Sequence, residues 1–242
     1  MTTQIMELLT DLVSANRILG HEGILDAYGH VSARGDGAAG SNGSFLLSRA
    51  RAAELVEQQD ILEFSMAGEP LTDSGQPLYL ERYIHAAIYA ARPDVGAVCH
   101  SHTPSILPFS TSLTPLRSVI HAARFIGTGA GVWDLAREFP GEWSPLVRNL
   151  EYGRSLANAL GDDGMVLLRG HGCVVVGRTP QEVVARCIAM DRNARVQEIA
   201  HRLGEYTPLH AGECEDVRNP GPPLARDNRD WEYFRRRAGL LP

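Results

Sequence analysis

The sequence predicts a single α/β domain, and three observations support this prediction. Segments with apolar residues at helical spacing alternate with short apolar runs that are typical of strands. The chain contains no internal repeat and no linker that would separate two cores. Its 242 residues, 44% of them hydrophobic and 21% charged, have the size and composition of an ordinary globular protein. We expect the domain to cover residues 1–206, and residues 207–242 to form an extended tail with a short helix, packed on the domain or on a neighbouring subunit.

The first half of the chain is expected to form three helices and four strands. Apolar residues recur at helical spacing from Ile5 to Val13, and Gly20 follows as a stop signal. Pro77 suits the start of a helix, where its missing N–H does no harm. The predicted elements are a helix ending near residue 20, strands over 29–34 and 44–48 joined by a flexible loop over 35–43, a helix over 50–59, a strand over 60–65, a helix over 78–91, and a strand that begins at residue 95.

The second half is expected to contain a hairpin followed by a long helix. Residues 103–116 include three prolines and are predicted to be irregular or short-stranded, and residues 118–122 are predicted to be extended. The glycine-rich segment 127–131 lacks the phosphate-binding glycine patterns and is interpreted as a turn. The remaining predictions are a helix over 146–160, strands over 165–168 and 173–177, a helix from a capping box at Thr179 to about Leu203, an extended segment over 207–230, and a last helix with Trp231.

The composition argues against several classes of function. The net charge of −6 disfavours an electrostatic nucleic-acid binder, and the basic run Arg235–Arg237 is interpreted as a solvated helix face or tail. The four cysteines show no C-x-x-C spacing and three lie in apolar runs, which is typical of reduced, buried thiols. Residues 1–19 contain Glu7 and Asp11 and no uninterrupted apolar stretch. We therefore expect a cytoplasmic protein without a signal peptide and without a membrane or nucleic-acid partner.

Two histidines at the end of a buried run are candidates for metal binding. The run Val95–Cys99 continues into His100-Ser101-His102, and a strand places alternate side chains on one face. His171, at the predicted connection between two strands, is a candidate for a third nitrogen ligand. The alternative is that these histidines are core or surface residues that hydrogen-bond to the backbone.

Glu81 is the carboxylate expected to act beside such a site. It follows an apolar run near a predicted helix start, where the helix N-terminus favours the anion and apolar surroundings favour the acid. The sequence does not decide between these two influences. An ion pair with Arg82, or with His85 one helical turn away, would also explain Glu81 without a catalytic role.

Together these residues resemble the class II aldolase/adducin family over roughly residues 8–203. In that family a glutamate precedes an H-x-H motif by the interval seen between Glu81 and His100, and a third histidine follows in a strand connection. The resemblance implies a three-layer α/β/α domain with a mainly antiparallel central sheet, usually in a homotetramer with active sites at subunit boundaries. It also implies that His100, His102 and His171 bind one divalent ion per subunit, with Glu81 as the acid/base. Three imidazoles suit Zn, Mn, Co or Fe(II).

Departures from the family pattern bear on the substrate. Sugar-phosphate members carry an asparagine where this chain has His30, and two serines where it has Tyr79 and Leu80, so a phosphate site is poorly supported. His30 and Arg49 are instead suited to a carboxylate, which arginine binds through two hydrogen bonds. The alternative for each is a surface side chain without a role in binding. The further candidates for substrate contacts are Ser32, Ser48, His121 and Tyr233.

His121 and Tyr233 are the candidates with the strongest structural alternatives. His121 ends a predicted extended segment, where a structural histidine would also fit. Tyr233 would serve a neighbouring subunit's site, and packing of its aromatic ring is the alternative.

The motifs around these residues resemble the branch of the family that decarboxylates hydroxy-aromatic acids, such as hydroxy-methylpyridine-dicarboxylate and dihydroxyphthalate decarboxylases. These motifs are Gly29–Arg34, Leu47–Arg49 and Pro77–Arg82. The resemblance predicts a metal-dependent lyase that decarboxylates a small hydroxy-aromatic acid chelated to the metal. The alternatives are a (retro-)aldolase acting on a non-phosphorylated hydroxy-keto compound and a non-catalytic scaffold like the adducin head domain.

Overall fold

A seven-stranded sheet lies between two layers of helices in the computed structural model, which describes residues 3–35, 43–218 and 229–241. The strands are β1 (His30–Arg34), β2 (Ser44–Ser48), β3 (Ile61–Ser65), β4 (Ala97–Ser101), β5 (Gly131–Trp133), β6 (Met165–Leu168) and β7 (Gly172–Gly177). Their order across the sheet is β3-β2-β1-β4-β7-β6-β5, and all neighbours are antiparallel except the parallel pair β5 and β6. This confirms the predicted α/β/α architecture with a mainly antiparallel sheet.

The helices of the described residues cover both faces of the sheet. They are α1 (Thr3–His21), α2 (Arg82–Ala91), α3 (Leu107–Thr111), α4 (Leu135–Glu138), α5 (Leu150–Leu160), α6 (Pro180–Leu203), α7 (Ala211–Arg218) and α8 (Arg229–Arg237). Helices α1, α6 and α8 bury their apolar faces against one side of the sheet, and α2 and α5 bury theirs against the other. None of these helices combines the length and apolarity needed to cross a membrane.

Alternation along β4 sends its side chains into two different cores. Ala97 and Cys99 belong to the core beneath α1 and α6, whereas Val98 belongs to the core beneath α2 and α5. His100 shares the parity of Val98 and therefore faces the α2/α5 layer. The odd-numbered side chains of this strand are thus structural, and the even-numbered ones lead to the site.

The hairpin and the long helix are confirmed. Strands β6 and β7 pair in antiparallel fashion around a turn that contains His171. Helix α6 begins after Thr179, whose hydroxyl accepts a hydrogen bond from the Glu182 amide at 3.2 Å, and it ends at Leu203.

Two predicted helices in the first half are wrong in extent. Residues 50–59 form two short 3-10 helices, at 53–55 and 58–60, instead of one α-helix. The helix predicted over 78–91 begins only at Arg82, because the preceding segment bonds across to a turn: the Pro77 carbonyl accepts from the Ala50 amide at 2.8 Å. Glu81 therefore lies immediately before the helix. Residues 36–42 of the predicted flexible loop lie outside the described residues.

The second half also differs from the prediction in several places. The segment predicted to be extended at 118–122 runs into a 3-10 helix at 121–126, because the buried Asn193 side chain binds the amides of residues 119 and 120. Helix α5 starts four residues later than predicted, at the Asn149 cap. Helices α3 and α7 occupy segments predicted to be irregular or extended, and β5 was not predicted. The last helix is confirmed as α8, whose Trp231 and Phe234 pack in the α1/α6 core.

Candidate metal centre

Three neighbouring strands bring the predicted histidines together. His30 on β1 lies directly opposite His100 on β4, and β4 also pairs with β7, which follows His171. The turn before β7 needs Gly170, whose φ is +64°. A Cβ atom on Gly172 would lie 2.2 Å from the Ser101 carbonyl oxygen, so glycine is what allows β7 to approach β4 here.

Glu81, His100, His102 and His171 form one compact cluster. The Glu81 Oε2 atom lies 3.3 Å from His100 Nε2 and 3.5 Å from His171 Nε2, and the Nε2 atoms of His102 and His171 are 3.1 Å apart. One ligand atom from each of the four residues lies within 4.8 Å of the other three. The buried His100 Nε2 makes no hydrogen bond within the described residues. A divalent cation fits this donor set, since it would satisfy that nitrogen and the groups facing it.

In His100 and His102, the hydrogen bond made by Nδ1 determines that Nε2 is the nitrogen free to bind an ion. His100 Nδ1 donates to the Cys173 carbonyl at 3.0 Å, and His102 Nδ1 donates to the Asp26 carboxylate at 3.1 Å. Each ring then presents an unprotonated Nε2 to the cluster. Asp26 was not predicted as a site residue, because nothing in the local sequence shows that it lies beside a histidine 76 positions later.

The charge state of Glu81 is set by competing effects. Burial acts to raise its pKa, but the neighbouring His100 and His171 and a hydrogen bond from the Val147 amide at 2.9 Å together lower the pKa to about 2. Burial, with His100 as the next contribution, lowers the pKa of His171 to about 4. At neutral pH Glu81 is therefore a carboxylate and His171 a neutral imidazole, and these are the forms that bind a cation.

His30 lies beside this cluster but is tied to a second buried group. Its Nδ1 lies 2.7 Å from His85 Nε2, the other His85 nitrogen lies 2.6 Å from the Ser32 hydroxyl, and that hydroxyl lies 2.8 Å from the Tyr89 hydroxyl. All four side chains are buried. His85 therefore hydrogen-bonds with His30 and Ser32, and Ser32 lies behind His30.

Ser48 ends β2 and Arg49 begins the turn that follows, next to Tyr79. Arg49 Nε donates to the Asp60 carboxylate at 2.7 Å, and Arg51 donates to the same carboxylate at 2.5 Å. Arg51 also lies 3.4 Å from the Glu57 carboxylate, so two guanidinium groups face two carboxylates at this turn. The Tyr79 hydroxyl bonds to the Arg51 backbone, and Ser48 is buried beside it. The Tyr79 ring lies 4.3 Å from the His30 ring, which links this turn to the cluster.

The structure does not bring His121 and Tyr233 to the cluster within one subunit. His121 is exposed at the start of the 3-10 helix at 121–126, whose buried residues belong to the α1/α6 core. Tyr233 is exposed on α8, which packs on the same face of the sheet. The metal cluster faces the opposite layer. The contribution of Tyr233 to a neighbouring subunit's site stays a prediction.

A family comparison agrees with this geometry. The model of the class II aldolase and adducin N-terminal domain matches residues 10–198. The chain belongs to the class II aldolase and adducin family. Decarboxylase tropJ from Talaromyces stipitatus is 31% identical over 203 residues, which cover 79% of this chain and 75% of that protein. A 3,4-dihydroxyphthalate decarboxylase from Arthrobacter keyseri is 29% identical over 188 residues, which cover 73% of this chain and 72% of that protein.

Solved structures show the same fold. The L-fuculose 1-phosphate aldolase from Glaciozyma antarctica superposes with a TM-score of 0.73 at 25% identity. The superposition covers 96% of this chain and 89% of the aldolase chain. The similar proteins therefore include both decarboxylases and an aldolase, so family membership does not select the bond that is cleaved.

Proposed function

We propose that this class II aldolase family protein is a metal-dependent carboxy-lyase that removes CO2 from a small hydroxy-substituted aromatic acid. The observation that carries the proposal is the convergence of three imidazole Nε2 atoms and the Glu81 carboxylate within 4.8 Å. The names of the decarboxylase relatives support the choice of reaction. Without a cation, the buried Nε2 atom of His100 has no hydrogen-bond partner within the described residues.

The metal would be held by His100, His102 and His171, and the ion would be Zn, Mn, Co or Fe(II). When bound, it supplies a Lewis acid that withdraws electrons from a coordinated oxygen beside the bond to be broken. A ring hydroxyl next to the carboxylate would give a substrate that oxygen, because the two groups together could chelate one ion.

Glu81 moves the proton in this proposal. It is ionised at neutral pH, so it first accepts the proton of the ring hydroxyl and then delivers it to the ring carbon that carries the carboxylate. The carbon–carboxyl bond then breaks, CO2 leaves, and the electron pair of that bond restores the aromatic ring with a phenolate oxygen. One proton from water neutralises the phenolate, so each turnover replaces a C–CO2⁻ bond by a C–H bond and consumes one proton.

His30 and Arg49 would bind the substrate's anionic groups. The Tyr79 ring packs against His30, and its hydroxyl is engaged by the Arg51 backbone. An aromatic residue therefore stands where the sugar-phosphate members carry small hydroxyl side chains, which favours a carboxylate over a phosphate. We propose a homo-oligomer, with a tetramer as the expectation, and a cytoplasmic location.

The test is release of CO2 by the purified, metal-loaded protein from a panel of ortho-hydroxy aromatic acids. Matched acids that lack the hydroxyl are the control, since they cannot chelate the ion through two groups. We expect turnover only with the hydroxy-acids. Loss of activity on removing the metal with a chelator, and its return on adding the ion back, is expected as well.

Aldol cleavage is the second candidate, favoured by the structural similarity to the L-fuculose 1-phosphate aldolase. The same preparation should be incubated with phosphorylated and non-phosphorylated hydroxy-keto compounds, and aldehyde release measured. Aldehyde without CO2 would replace the proposed reaction by this one. Absence of stoichiometric metal binding would contradict both reactions and favour a scaffold.

A further inference from the structure

Behind the metal cluster, four buried side chains form one continuous hydrogen-bonded chain. It runs from His30 through His85 and Ser32 to Tyr89, with successive distances of 2.7, 2.6 and 2.8 Å. The four residues are at most 1% exposed, so water does not supply alternative partners. Every polar hydrogen of these four side chains must therefore be donated to another member of the hydrogen-bonded chain or to a neighbouring protein group.

The chain can hold its protons in only two arrangements. Burial lowers the pKa of His85 to about 3, so its imidazole is neutral and one of its two hydrogen-bonded nitrogens donates while the other accepts. If Tyr89 donates to Ser32, then Ser32 donates to His85, His85 donates to His30 Nδ1, and the His30 proton lies on Nε2. If every bond is reversed, the His30 proton lies on Nδ1 and Nε2 is bare.

The Tyr89 end decides between the two arrangements. The phenol of Tyr89 is buried, so its hydrogen needs an acceptor within the protein. Within the described residues, Ser32 is the side chain to which the Tyr89 hydroxyl hydrogen-bonds, so it is the available acceptor for the phenol hydrogen. The Arg34 guanidinium lies 4.8 Å from the centre of the Tyr89 ring, and a cation there strengthens the hydroxyl as a donor. Tyr89 therefore donates.

We infer that the chain Tyr89–Ser32–His85 holds His30 in the tautomer with the proton on Nε2, which makes His30 a neutral hydrogen-bond donor at the edge of the metal cluster. His100 and His102 donate through Nδ1 and present unprotonated Nε2 atoms to the ion. His30, whose ring lies 5.4 Å from that of His100, instead carries its proton on Nε2, so it cannot bind the ion through that nitrogen. Such a donor suits an anionic oxygen of the substrate. This substrate role rests on the proposed function, whereas the tautomer does not.

Neutron diffraction from deuterium-exchanged crystals of the metal-loaded protein tests the tautomer directly. We expect deuterium on Nε2 of both His30 and His85 and none on Nδ1 of either residue. Deuterium on His30 Nδ1 would overturn the inference, whatever the protein catalyses. This readout requires no variant and no substrate.

Kinetics of Ser32→Ala test the substrate role. Ser118→Ala is the matched control, because Ser118 is equally buried and donates to the Ala123 carbonyl at 2.9 Å in the other core. We expect Ser32→Ala to lower kcat for CO2 release by about 10- to 100-fold, as loss of a partner that orients a functional histidine does, with metal content unchanged. Equal kcat values for the two variants would refute the role. If Ser32→Ala does not fold, Tyr89→Phe removes the terminal donor instead, and the same comparison applies.

Failure of this inference can be distinguished from failure of the proposed function. A wild-type protein that binds metal but releases no CO2 from any acid in the panel contradicts the proposed function, and the deuterium positions still decide the tautomer. Conversely, an active enzyme with deuterium on His30 Nδ1 keeps its reaction and loses this role for His30.

Discussion

Substituting Asp26 by asparagine is expected to weaken metal binding while leaving the fold intact. The Asp26 Oδ1 atom accepts hydrogen bonds from the Tyr28 and Gly29 amides at 2.9 and 2.8 Å, and both carboxylate oxygens lie within 3.2 Å of His102 Nδ1. Asparagine keeps the oxygen that the two amides require. Its NH2 group then takes the place of Oδ2 and faces His102.

The size of the effect follows from the tautomer of His102. An NH2 group donates to Nδ1, which drives the His102 proton onto Nε2 and removes the lone pair needed by the ion. Loss of a carboxylate behind a ligating histidine typically weakens metal affinity by about 10- to 100-fold, or about 1.4–2.7 kcal/mol. Asp26 has a half-exposed side chain, so we expect the lower end of this range.

Affinity is best measured by competition with a chromophoric zinc chelator at fixed pH. Asp73→Asn is the matched control, because the exposed Asp73 forms the same kind of turn by accepting from the Gly75 amide at 3.0 Å. The two variants should have equal melting temperatures after the metal is removed. If Asp26→Asn binds zinc as tightly as the control, then His102 is not a ligand through Nε2 and the assignment of the site is wrong.

Three further predictions concern the cluster and its supports. Glu81→Gln should retain stoichiometric metal and lose about 10²- to 10⁴-fold in kcat, because the amide cannot carry the proton; metal analysis and CO2 release measured on one sample check this. His85 has its pKa lowered from 6.5 to about 3, so the unfolded chain binds more protons and stability falls as the pH drops below about 6.5. This histidine should account for about 1.4 kcal/mol between pH 7.5 and 5.5, and urea unfolding of His85→Leu should show a correspondingly smaller pH dependence. Gly172→Ala should destabilise the protein by about 1–3 kcal/mol, because the new methyl group would meet the Ser101 carbonyl, and displacement of the neighbouring His102 should weaken zinc binding in the same titration; an unchanged melting curve would contradict this.

The local parts of the site could be predicted from the sequence. Strand alternation places His100 and His102 on one face, and the apolar runs on both sides of His171 predict the turn that contains it. The structure agrees on both points. Glu81 was correctly expected near a helix start, although the start itself is four residues later than predicted because Pro77 bonds to the turn at Ala50.

The supports of the site depend on contacts that no local pattern encodes. His30 and His85 are 55 positions apart, and they meet only because β1 lies between β2 and β4 and α2 packs across those two strands. Asp26 meets His102 across 76 positions for a similar reason. Strand order and register are set by the whole core, so these partners follow from tertiary structure and not from spacing.

The two-sided character of β4 makes the register of this strand decisive for folding. A slip of one residue against β1 would turn Val98 and His100 toward the apolar core beneath α1 and α6, and would turn Cys99 toward the ligands. An imidazole buried there would have no hydrogen-bonding partner, so the slipped chain would be less stable and would also lack the metal site. Misfolded molecules of this kind should therefore be eliminated by proteolysis and should not persist as a weakly active population.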